Sequence, residues 1–169
     1  MCAPDENRDK DGAIRLAELQ LPHDMIGILE IMRTLFSSWS GLKKPDTFTT
    51  TDVAEAWFGR GTGLAVAGKV IELVNTMRQV RRSTFRFSNP LCPVCRELVT
   101  PHEQALLGII YHGRSGQNAK ARAAAIIVCE GFDEVGVVAA AQAVAEVLRP
   151  FSNGRSSVET AGGWSHGRS

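Results

Sequence analysis

Large apolar residues in this chain recur three and four positions apart, in runs that glycine and proline repeatedly cut short. In "PHDMIGILEIMRTLFSSW" they fall at Met25, Ile28, Leu29, Met32, Leu35, Phe36 and Trp39. That spacing lays them along one face of a helix. Pro22 suits a first turn, and "SGLKKPD" ends the pattern. A short helix is predicted in "TTTDVAEAWF", where the threonines and Asp52 offer capping oxygens, with the glycines of "GRGTG" stopping it. From about Leu64 a longer amphipathic helix runs through Ala67, Val70, Ile71, Val74 and Met77. Thr100, Pro101 and Glu103 form a capping box with proline at the first helical position, predicting a helix from Pro101 to about His112 that ends at Gly113. "NAKARAAAIIVCE" and "EVGVVAAAQAVAEVLR" supply two more helices, the last expected to end at Pro150.

These runs predict a mostly α fold, a compact helical domain of about six helices. "STFRFS", near 83–88, alternates polar and aromatic residues and reads as a short strand. A CxxC turn follows it, and a C-terminal helical hairpin follows the turn. The 169 residues suit one domain over 14–150, with flexible tails at 1–13 and 151–169.

A hydrophobic content of 44% with 22% charged residues is that of a globular protein. The net charge of +1 excludes a whole-molecule field that would drive binding to DNA or to an anionic membrane. The N-terminus lacks the pattern of a secretory signal, and no run has the roughly 18 apolar residues of a membrane span. A cytoplasmic location is expected, with Cys2, Cys92, Cys95 and Cys129 as thiols or metal ligands rather than a disulfide framework.

The chemistry concentrates in "NPLCPVCRELVTPHEQALL". A CxxC turn can point two thiolates at one ion, and a closed tetrahedral site needs two further ligands. His102 and His112 cannot both serve, because ten residues of helix separate them by roughly 15 Å. The hairpin formed by the helices at 101–112 and 117–130 should instead bring His102 level with Cys129. The expected site is therefore structural zinc on Cys92, Cys95, His102 and Cys129. The plainer readings are a buried thiol at Cys129 and an exposed first-turn residue at His102.

"FRFSNPLCPVC" resembles the strand–turn–CPxC active site of glutaredoxins over about a dozen residues. That resemblance, carried by Cys92, Pro93 and Cys95, implies a thiol–disulfide redox protein or redox sensor. It extends no further, since Pro101 would interrupt a helix begun at the cysteines and the rest of the chain reads as helical.

Arg78, Arg81, Arg82, Arg86 and Arg96 follow one another with no acid between them, and Phe85 and Phe87 are interleaved. Such a segment can bind nucleic acid by gripping phosphates and stacking on bases. It can equally be a solvated rim whose phenylalanines face the core. "GLAVAGKV" approaches a P-loop, but Val70 stands where the magnesium-binding hydroxyl belongs. Trp39, Trp57 and Phe58 read as a satellite core or as a docking patch. No catalytic constellation stands out. The sequence thus predicts a non-enzymatic, metal-stabilised regulatory or adaptor protein that binds a protein partner, a second copy of itself or nucleic acid.

Overall fold

The computed structural model describes residues 12–41 and 49–152. Six helices account for most of them: α1 (His23–Trp39), α2 (Thr50–Phe58), α3 (Thr62–Val80), α4 (Pro101–Arg114), α5 (Asn118–Val128) and α6 (Val135–Ser152). The start signals read from the sequence act as expected. The Thr100 side chain accepts from the Glu103 N–H, and Glu103 reaches back to the Thr100 N–H. Thr49 and Asp52 close a second capping box on α2. The stop signals are weaker: α4 continues one residue past Gly113, and α6 runs through Pro150 to Ser152. The stretches read as tails lie almost wholly outside the described residues. No described helix is long and apolar enough to cross a membrane.

α1 is the central helix and packs against α2, α3, α4 and α6. Its buried side chains run from Met25 to Phe36 with few gaps, so it is covered on more than one face. α6 lies antiparallel along α3. Gly136 sits against Thr76 near the end of α3, and Phe151 meets Phe58 just before α3 begins. α4 and α5 pair as the expected hairpin. Gly63 lets α2 and α3 touch backbone to backbone, since a Cβ there would lie 2.6 Å from the Ala54 carbonyl oxygen. Gly59 and Gly61 adopt positive φ in the connecting turn.

Residues 83–88 form no strand. The alternation in "STFRFS" is real, with Thr84 and Arg86 exposed and Phe85 and Phe87 half-buried, but no neighbouring strand pairs with it. Both phenylalanines instead stack on Phe36 of α1, at centroid distances of 4.7 and 5.3 Å. Side-chain burial produced the period of two, and a strand needs backbone partners as well. The sheet in the described residues is elsewhere: β1 (Ile14–Arg15) pairs antiparallel with β2 (Leu98–Val99), Ile14 opposite Val99.

Candidate functional site

The irregular chain between α3 and α4 is held down by one guanidinium. Arg33 of α1 has a fully buried side chain and faces Glu103, equally buried, through Nε to Oε1 at 2.7 Å and Nη2 to Oε2 at 3.1 Å. Nη1 also donates to the Arg96 carbonyl and Nη2 to that of Leu98. Glu103 also accepts from the N–H groups of Ser88 and Thr100. Charge pairing and hydrogen bonds together answer the cost of burying both ions. The result pins the segment 88–100 to α1 and α4. Arg33 is one of several polar residues along α1 and Glu103 was legible only as a cap, so their pairing had no direct sign in the sequence.

The CxxC turn sits within this anchored segment. Cys92 and Cys95 are buried, while Leu91, Pro93 and Val94 between and beside them are exposed, Val94 by 66%. The Cys95 N–H points at Cys92 Sγ, with N and S 3.4 Å apart. The Cys92 carbonyl accepts from the Arg96 N–H, closing the turn as a short 3₁₀ segment begins at Cys95. Both cysteines are thus buried within a tight bend.

Arg81 joins the His102 end of α4 to the end of α5, at the carbonyl one residue before Cys129. Arg81 donates through Nη1 to the Val128 carbonyl at 2.7 Å, and its Nη2 lies 3.2 Å from His102 Nε2. The side chain is only 5% exposed and pairs with Glu130 at 3.4 Å. His102 Nδ1 accepts from the Arg86 N–H at 2.8 Å. Burial, then Arg81 and Arg86, hold the His102 pKa below its ordinary value, with Glu130 and Glu103 opposing. Cys129 is fully buried in the core cluster at the end of α5. Burial, then Glu134 and Asp133, push its pKa up to about 11 against the pull of Arg81. Glu130, at positive φ, accepts from Ser83 Oγ and from the N–H groups of Arg82 and Ser83. Its pKa falls to about 2, chiefly through the Ser83 hydroxyl and the Arg82 N–H.

The four-ligand arrangement expected of Cys92, Cys95, His102 and Cys129 is not gathered. Among the described residues no three His, Cys, Asp or Glu side chains come together closely enough to hold a metal ion. The physical reason is local. The His102 ring is turned toward Arg81 and Arg86, and the Cys129 thiol packs into hydrocarbon.

Above this junction the ends of α1 and α3 and the segment 83–87 enclose a groove of about 300 Å³. Phe36, Trp39, Met77, Phe85 and Phe87 supply apolar walls, and Ser40, Ser83 and Thr84 supply polar edges. Trp39 is 39% exposed and carries the Arg78 guanidinium 4.3 Å above its ring. Trp39 stands apart from Trp57 and Phe58, which pack near Gly27 toward the other end of α1.

The five arginines therefore divide. Arg81 is internal structure. Arg82 leans over Phe132 at 4.1 Å. Arg78 lines the groove, while Arg86 and Arg96 are exposed. No protein-family model, curated protein or solved structure matches the chain.

Proposed function

We propose that this protein is a non-enzymatic adaptor or regulator that binds a macromolecular partner at the groove between α1, α3 and the segment 83–87. The observation that carries the reading is the groove itself: an aromatic floor, a half-exposed Trp39 and a guanidinium stacked upon it. Concave apolar surface with a few placed polar groups is the usual composition of a recognition site, and tryptophan with arginine is the usual composition of its energetic centre. The Arg33–Glu103 clamp supports the reading because it gives the wall of the groove a rigid footing.

Binding of 8-anilinonaphthalene-1-sulfonate, an aromatic anion, tests this. One saturable site is expected, with energy transfer from tryptophan that is lost in Trp39→Ala and weakened in Arg78→Glu, while far-ultraviolet circular dichroism stays native. Binding that ignores both substitutions would remove the groove as the site.

The Cys92–Cys95 turn supports a second reading, thiol chemistry. An N–H directed at sulfur favours the thiolate, the form that attacks disulfides and that ligates zinc. Alkylation across a pH series separates these uses from a structural role. Reaction of Cys92 well below the ordinary thiol range is the redox outcome. One equivalent of zinc in protein purified without chelator is the metal outcome, with two of its ligands drawn from this turn.

A further inference from the structure

The segment 83–88 is tied at its start, where Ser83 bonds to Glu130 and Arg81, and then at alternate residues from Arg86. Arg86 gives its N–H to His102 Nδ1 and takes the Thr100 hydroxyl on its carbonyl, and Ser88 gives its N–H to Glu103. All three bonds face α4. Phe85 and Phe87, whose backbone groups face the other way in an extended chain, make no backbone hydrogen bond within the described residues. Their side chains form part of the groove wall. One edge of the segment is thus docked, and the other lies beside an apolar cleft.

The charges the described residues bring to the groove are also one-sided. Among them its lining holds two arginines and no acid. Arg81 is matched by Glu130 at 3.4 Å, which leaves the exposed Arg78 as the cation that the described lining residues offer to a ligand. A nucleic acid strand needs several cations along successive phosphates, and Arg82 leans away over Phe132. A single guanidinium beside an apolar cleft and a backbone edge matches a polypeptide instead.

We infer that the groove binds an extended peptide segment of another protein, which pairs with the backbone of Phe85 and Phe87, places a large apolar side chain in the cleft and sets a carboxylate against Arg78. This deepens the binding reading above and rests on it. Main-chain pairing supplies affinity and the alternate side chains supply selectivity, as in other cases of strand addition to an open edge.

The test uses the full chain and three fluorescein-labelled peptides of the same length: SEFEVS, its lysine counterpart SKFKVS, and SEFEVS carrying N-methyl groups on its backbone. Saturable binding of SEFEVS is expected, roughly tenfold tighter than SKFKVS, a difference of about 1.4 kcal/mol. Arg78→Glu should invert that preference, and N-methylation should abolish binding. In amide spectra the Phe85 and Phe87 signals should gain exchange protection, with Arg86 unchanged. Equal affinity for the N-methyl peptide overturns the edge pairing. Preference for a labelled oligothymidylate over all three peptides overturns the ligand class. If the sulfonate dye occupies the groove and no peptide does, this inference fails and the binding reading stands; if neither does, both fail.

Discussion

Arg33 and Glu103 show what one buried pair does in a small domain. Replacing Arg33 with Met leaves a carboxylate buried without its cation. A loss of about 3–5 kcal/mol is expected, seen as a drop in thermal midpoint of roughly 10 °C. The double replacement Arg33→Met with Glu103→Leu should recover only part, because the N–H groups of Ser88 and Thr100 lose their acceptor. His102 adds a pH dependence of known sign. The fold holds it neutral, with a pKa below the ordinary 6.5. Its contribution to stability is complete above that value and drains away as pH falls through the window between 6.5 and the lowered pKa. Thermal melts from pH 7.5 to 5 should decline in the native chain and flatten in His102→Asn. Glu130 acts in a separate, more acidic window. Its contribution holds above 4.5 and disappears as pH falls through about 2. Cys129, buried with a raised pKa, should resist iodoacetamide at neutral pH until the chain unfolds.

At the scale of elements, Gly63 is the tightest join. Gly63→Ala puts a methyl group into the α2 backbone, and a loss of about 1–3 kcal/mol by denaturant titration is expected. Gly68→Ala, whose added carbon meets nothing within 4 Å, should be neutral or slightly stabilising. The helices were legible because their signals are local: the apolar stripe of α1, the capping box at Thr100, the alanine-rich α5. The hairpin was legible too, since a short loop leaves two helices little choice but to pair. Residues 83–88 were not legible as they stand. Their alternation encodes which side chains are buried, whereas strand identity depends on a neighbour that sequence pattern does not reveal. The set Cys92, Cys95, His102 and Cys129 is not gathered among the described residues for a related reason. Bringing two residues level says nothing about where their side chains point, and Arg81 and Arg86 claim the imidazole. The groove escaped notice because Trp39 and the arginine segment lie about 40 residues apart in sequence, with contacts that arise only from helix packing.

For the whole molecule, the zinc outcome of the Cys92–Cys95 turn has its own readout. If zinc held by this turn supports the fold, a zinc chelator should lower the melting temperature by several degrees, by calorimetry on protein never exposed to chelator beforehand. An unchanged melting temperature removes a structural metal. The Arg33 guanidinium, meanwhile, closes contacts across 63 to 70 positions of chain. Such long loops close late, after local helices have formed. During synthesis the groove would therefore be completed only once α4 has cleared the ribosome, and a nascent fragment ending before it would carry the aromatic residues without the bonds that hold segment 83–88 in place.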